Sequence, residues 1–364
     1  MGIKADSHKY QAVEDYLRGG IAKGVYGRDV PIESESRLSE MFSLSRATVR
    51  HALSKLEREG LIERRQGRRS YAAEIRPVYR GRHHNRVALV SYAPDYFDMR
   101  DLRAAAIEKL EADGYEVVER YLNDSIAVER EALSGLVDIP LDGLILEGIG
   151  TSMPTFNIDL FKRFEAMGLP MVFTNGYHRD VRAAHVVAND RAVMHGMVDH
   201  LAALGHRAIG GIFAGEQYQG LMRYQGFMDG LKANGLEYRD RRVMFLSYTD
   251  RRYIFDNLFN AYRDALLGCT AIVCYSDSYA EFLEATLRRN GISIPEGMSV
   301  TGMDNLPDTP LSLKLTTATL PLREMGERAG EILTQMIATR GDVESAMVDC
   351  AFVPGESTCP PSRG

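Results

Sequence analysis

Between residues 86 and 301, short apolar runs alternate with stretches of helical spacing, a rhythm that few folds accept. Val87-Ala88-Leu89-Val90 leads to a helical stretch at 100–112. Glu116-Val117-Val118 leads to one at 127–137, and Leu144-Ile145-Leu146 to one at 158–167, before Met171-Val172-Phe173-Thr174. After Val186-Val187 the pattern starts again, with helical stretches at 190–204, 219–234, 252–267 and 278–290. These alternate with Ala208–Phe213, Val243-Met244-Phe245, Ala271-Ile272-Val273 and Ser299-Val300-Thr301. Parallel strands cannot be joined by tight turns, and a helix is the usual crossover. The pattern therefore predicts doubly wound parallel α/β sheets in two tandem halves, hence two lobes with a cleft between them. Guests of such sheets sit just outside the carboxyl ends of the strands, so the polar residues after each strand are the ones to weigh.

The first 73 residues read differently. Val13, Leu17 and Ile21 share one helical face within Tyr10–Lys23, and Leu38, Met41 and Phe42 mark a short second helix. Ser45 is placed to cap a third helix, whose inner face is Val49, Ala52, Leu53 and Leu56 and which stops at Gly60. Strands at 61–64 and 70–73 then flank a turn at Gln66-Gly67-Arg68-Arg69. This order predicts a winged helix–turn–helix. Residues 74–85 lack periodicity, are rich in Arg and read as a linker.

Charge separates the same regions. Residues 1–86 carry 18 Lys/Arg against 11 Asp/Glu, and the rest 26 against 39, so +7 and −13 sum to the net −6. A basic head on an acidic body points to a polyanion as the partner of the head. No apolar run approaches the ~20 residues of a membrane span, and no targeting segment is visible. The four cysteines lack zinc or redox spacing, which is the pattern of reduced thiols in a cytoplasmic protein. Catalysis finds little support. Gly148-Ile149-Gly150 lacks the third glycine of a dinucleotide loop, there is no P-loop or nucleophile elbow, and His195, His200 and His206 lack metal-ligand pairing.

Ser45, Arg46, Thr48 and Arg50 fall in or near the first turn of the third helix, where the helix dipole, backbone N–H groups and arginine forks can all meet DNA. Arg68 and Arg69 at the wing tip suit a narrow minor groove. Through these motifs residues 9–72 resemble the winged-helix head of the GntR regulator family, whose pattern runs Leu-Pro-Ser-Glu, Ser-Arg-x-Thr-Val-Arg, Glu-Gly, Gln-Gly-x-Gly-Thr-Phe. Here Ile32-Glu33-Ser34-Glu35 lacks the Pro, Ser36 replaces a frequent Arg, and Arg68-Arg69-Ser70-Tyr71 replaces the last stretch. The resemblance implies operator contacts at Arg46, Thr48, Arg50, Gln66 and Gly67.

Residues 86–357 resemble the LacI/GalR effector domain. The likeness rests on Asp142–Leu146, His200–Arg207, Arg223–Phe227, Ile292–Asp304 and Leu315–Thr317. A GntR head on such a body is similar to the arabinose repressors of Gram-positive bacteria. A sugar needs converging donors and acceptors. By resemblance Arg223 is the guanidinium clamp and Asp304 the carboxylate, with Asn175 and Glu147 as further candidates. Where the family shows Asn-Asp, this chain has Ser276-Asp277; either Asp277 or a water fills the gap, or the effector differs by one hydroxyl. Trp is absent, so Tyr92, Tyr96, Phe97 and Tyr177 are the rings available to stack on a sugar face.

The expectation is a sugar-responsive bacterial transcription regulator. Its winged helix-turn-helix domain spans 1–73, its linker 74–85 and its two-lobed effector-binding and dimerisation domain 86–364. The expected lobes are 86–187 with 320–340, and 188–318 with the C-terminal strand. The expected partners are double-stranded operator DNA, a second copy of the chain and a small sugar, a pentose such as L-arabinose, with no cofactor, metal or membrane. A sugar-binding protein or sugar enzyme with an incidental basic head is the alternative.

Overall fold

The computed structural model describes residues 7–22, 25–26, 30–58, 61–65, 69–72, 83–92, 99–247, 251–307 and 310–362. The chain divides into two compact units, Met1–His83 with Asn157–Leu169, and His84–Phe156 with Pro170–Gly364.

In the first unit α1 (Ser7–Ala22), α2 (Glu35–Phe42) and α3 (Arg46–Arg58) precede an antiparallel pair, β1 (Ile62–Arg65) and β2 (Arg69–Ala72). Serines set the helix boundaries. Ser34 is extended and its hydroxyl accepts from Arg37 N–H, while Ser43 closes α2 in the left-handed region at φ 53°. Ser45 Oγ then accepts from Thr48 N–H at 3.1 Å, which starts α3. Val13 and Leu17 of α1, Leu38 of α2, and Val49 and Leu56 of α3 meet in a fully buried core. Each such side chain contributes about 1.5–3 kcal/mol. Met41, expected on the inner face, is 42% exposed; Leu38 and Phe42, one turn apart, occupy the narrow stripe that so short a helix can bury. The expected helix stop at Gly60 lies outside the described residues, as do residues 66–68 and 73 of the wing and 74–82 of the linker.

The second unit holds β3 (Arg86–Tyr92), α4 (Arg100–Ala112), β4 (Glu116–Leu122), α5 (Ile126–Leu136) and β5 (Gly143–Leu146). After α6 (Ile158–Met167, within the first unit's residues) come β6 (Met171–Thr174), β7 (Ala184–Ala188), α7 (Asp190–Ala203), β8 (Ile209–Ala214) and α8 (Tyr218–Ala233). Next follow β9 (Val243–Leu246), α9 (Arg251–Leu267), β10 (Ala271–Cys274), α10 (Asp277–Arg289) and β11 (Ser299–Thr301). The chain finishes with β12 (Thr317–Thr319), α11 (Leu322–Thr339), β13 (Ala346–Val348) and β14 (Ala351–Val353). A six-stranded sheet has the order β13-β7-β6-β5-β3-β4 and a four-stranded sheet the order β11-β10-β8-β9, with β12-β14 as a separate pair. All pairings in the two larger sheets are parallel. The strand order reverses at β3 in the first and at β8 in the second, so the loops after β3 and β5, and after β8 and β10, splay apart and leave a crevice at each strand-end edge.

The end of the chain serves both sheets. β13 extends the first beside β7, β14 pairs with β12, and Ser357 O accepts from Val300 N–H of the second at 2.8 Å. Among the described residues no helix is long and apolar enough to cross a membrane.

Helices α7 and α8 touch through glycine. A Cβ at Gly226 would overlap the backbone carbonyl of Arg191, and one at Gly230 would crowd Val198. Gly226→Ala is therefore expected to destabilise the second unit by about 1–3 kcal/mol. A lower urea midpoint would register this, and an unchanged midpoint would contradict the packing.

Candidate functional site

The strand ends of the second unit surround a cavity of about 260 Å³. From the first sheet come Tyr92 at the end of β3, Ile149 and Gly150 after β5, and Asn175 after β6. From the second come Glu216 and Gln217 after β8, Tyr275 after β10 and Asp304 after β11. Met99, Ile126, Met153 and Leu320 supply apolar wall. Asp124, Asn175 and Asp304 line the cavity with φ of 52°, 62° and 100°. Non-glycine residues in that region cost on the order of 1–3 kcal/mol, and they concentrate where a backbone holds functional groups in place.

Arg223, from α8, is the centre of the polar wall and is 2% exposed. Its Nε donates to Asp190 Oδ1 at 2.7 Å, one Nη to the Tyr275 carbonyl at 2.8 Å, and the other to Asp304 Oδ1 at 3.0 Å. Its Cζ lies 4.6 Å from the centroid of the Tyr275 ring. Burial works against the charged guanidinium, but the Asp304 and Asp190 carboxylates outweigh it and hold the group well above its ordinary value. A guanidinium carries five N–H donors, more than these three bonds use.

The remaining expected residues divide by position. Tyr92, Asn175, Arg223 and Asp304 are brought together on the cavity wall. Glu147 stands behind that wall, buried, where its Oε2 accepts from Tyr92 N–H at 2.9 Å. Ser276 and Asp277 are buried at the start of α10 and do not line the cavity. Asp277 instead accepts from Thr317 Oγ1 at 2.7 Å and Leu306 N–H at 2.9 Å, pinning the loop that carries Asp304. Tyr177 also stays off the wall: its ring stacks on His185 at 3.8 Å. Tyr96 and Phe97 lie outside the described residues.

On the first unit, Ser45, Arg46 and Arg50 are exposed at the start of α3, opposite its buried face. Thr48 Oγ1 is 2.8 Å from Ser45 Oγ. Arg50 Nε and Nη2 donate to Glu35 Oε2 at 3.3 and 3.1 Å, an exposed pair that a phosphate can displace at small cost. Arg69 is exposed on β2, whereas Gln66, Gly67 and Arg68 lie outside the described residues.

Reading the sequence missed Asp190, Tyr275 and Gln217 as parts of the site. Asp190 lies two residues past the end of β7, a position typical of polar residues that reach such a cleft. The roles of Tyr275, a carbonyl and a ring beneath the guanidinium, leave no mark in spacing. Among the described residues no group of three or more His, Cys, Asp or Glu is placed to hold a metal ion.

Glu147 makes the site's stability depend on pH. Burial pushes its carboxyl from 4.5 up to about 7, against the pull of the Tyr92 N–H and of Arg103. The folded state therefore binds this proton more tightly than the unfolded chain does, and stability is lost as pH rises from 4.5 through about 7. Glu147→Gln keeps an acceptor for Tyr92 without the charge. Its thermal midpoint is expected to fall less than that of the parent protein across this range; parallel pH profiles would refute the assignment.

Comparison with known proteins gives two matching family models: bacterial regulatory proteins of the gntR family over residues 9–71, and a periplasmic binding protein-like domain over residues 198–358. The arabinose metabolism transcriptional repressor of Geobacillus stearothermophilus is 30% identical over 337 residues, covering 91% of this chain and 92% of the relative. That of Halalkalibacterium halodurans is 28% identical over 337 residues, covering 90% and 89%. Among solved structures, a LacI family transcriptional regulator from Mycobacterium smegmatis shares the fold with a TM-score of 0.62 at 23% identity, covering 76% of this chain and all of that one. With its gntR-type head and periplasmic binding protein-like body, the chain belongs to the family of the arabinose metabolism transcriptional repressors.

Proposed function

We propose that this protein is a sugar-responsive repressor of transcription whose effector is a small neutral sugar, a pentose such as L-arabinose, bound in the cleft of the second unit. The single observation that carries the effector reading is the Arg223 clamp, which keeps N–H donors over beside Asp304 and Asn175 in a cavity of about 260 Å³. The names of the relatives supply the choice of arabinose. Charge supports a neutral guest: among the lining residues Arg223 is the sole cation, against Asp124, Glu216 and Asp304, so a phosphate or sugar acid would meet net repulsion.

The function is regulatory rather than catalytic. The heads of a dimer contact two operator half-sites through Arg46, Thr48 and Arg50, with the wing at the minor groove. Sugar binding favours one arrangement of the lobes, and operator affinity falls because that arrangement suits the spacing of the half-sites less well. The energy needed is only the difference in sugar affinity between the arrangements, typically ~1–3 kcal/mol.

A gel shift on the DNA upstream of the protein's own gene, with and without a panel of pentoses and hexoses, tests the whole reading. The expected result is a complex that weakens steeply with salt and dissociates with a pentose. Failure to bind DNA at low salt would end the proposal. Arg46→Ala is expected to weaken operator binding about tenfold or more while sugar affinity by calorimetry stays put. Arg223→Lys keeps the charge but loses the planar fork, and is expected to reverse that outcome, with sugar affinity falling about tenfold or more.

A further inference from the structure

Helix α8 carries Arg223, yet its own sequence does not cap its start: Gln217 precedes it with no side-chain hydrogen bond to the helix N–H groups. The first N–H groups of any helix need acceptors from elsewhere. Here one comes from the opposite lobe, where Thr151 Oγ1, in the loop after β5, accepts from Tyr218 N–H at 2.9 Å. The same hydroxyl donates to Gln217 Oε1 at 3.0 Å, and Thr151 N–H lies 3.3 Å from that oxygen. Gln217 Nε2 in turn donates to Tyr92 Oη at 2.8 Å, so a single amide bridges both first-lobe loops and its orientation is set by its partners. Ser152 adds its hydroxyl and N–H to the Glu216 carbonyl, at 2.9 and 3.3 Å. Gly176 leaves the room for this: a Cβ there would meet Thr151 Oγ1 at 2.7 Å and Tyr218 Cβ at 3.0 Å.

We propose that Thr151 is a positioning residue that caps α8 across the cleft and, with Gln217, forms a latch between the two lobes. The proposal rests on reading the cleft as an effector site. Every donor and acceptor of the latch belongs to the protein. Closing it completes the N-terminus of α8, aligns Arg223 a turn and a half further on, and turns Tyr92 onto the cavity wall. A guest that bears on Tyr92 and Arg223 thus acts on groups the latch already orders. Effector affinity then depends on how often the latch is made, because a binding-competent state that is only partly populated lowers apparent affinity by its fraction.

Thr151→Val preserves the shape of the side chain and removes both hydroxyl bonds. In the full-length protein without sugar, amide hydrogen exchange at Tyr218 and Ser152 is expected to quicken about tenfold, with Thr151→Ser restoring the parent rate. Exchange along β8 is expected to stay unchanged. The L-arabinose concentration for half-release of operator is expected to rise about tenfold in Thr151→Val, with the preference order among pentoses unaltered. Unchanged exchange at Tyr218 and Ser152 would overturn the latch, and so would acceleration spreading equally through β8, since Thr151 would then be an ordinary fold contact. Local acceleration in a protein that binds no sugar at all would uphold the latch and remove the effector reading.

Discussion

A buried arginine with two carboxylates is the constraint on which the second unit depends. Arg223 is 2% exposed, and the Asp190 and Asp304 carboxylates at 2.7 and 3.0 Å offset the cost of burying its charge. Removing one partner from such a set typically costs 3–5 kcal/mol, because the charge left behind has lost its water. The set also crosses the architecture, since Asp190 opens α7, Arg223 sits on α8 and Asp304 follows β11. Strand ends that are distant in sequence are tied to one guanidinium, and the cavity takes its polar geometry from that tie.

The surroundings of the clamp are built to keep it still. Asp277 holds the loop of Asp304 through Thr317 and Leu306, Glu147 holds the backbone of Tyr92, and Thr151 holds the start of the helix that bears Arg223. None of these three side chains lines the cavity. Supports of this kind fix the rotamers and loop positions that a small guest must match, since an error of an ångström is enough to lose a hydrogen bond. The first unit follows the same economy on a smaller scale: Ser34 and Ser45 cap successive helices, and the exposed face of α3 is left to arginine.

Much of the fold is legible in the sequence. Strand and helix alternation predicted the parallel sheets, helical spacing in Val49, Ala52, Leu53 and Leu56 predicted the buried face of α3, and the family motifs led to Arg223 and Asp304. Asp277 and Glu147 show where such reading stops. A carboxylate just past a strand has the same sequence signature whether it faces a guest or ties down a neighbouring loop, and only the direction of the side chain separates these cases. Met41 makes the same point in the head, where periodicity marks which residues can share a face but not how wide a face the neighbouring helices will cover.

What the amino-acid order determined by itself is local: helix starts from serine hydroxyls, strands from unbroken apolar runs, and the charge contrast between the basic head and the acidic body. Each depends on residues within a turn or two of one another, so spacing suffices. The folded chain alone decided which carboxylates face Arg223, that Tyr275 lies beneath its guanidinium, and that Thr151 reaches α8 across 67 positions of sequence. Those pairings follow from the strand order of two sheets and the loops between them, a three-dimensional arrangement that linear spacing does not encode.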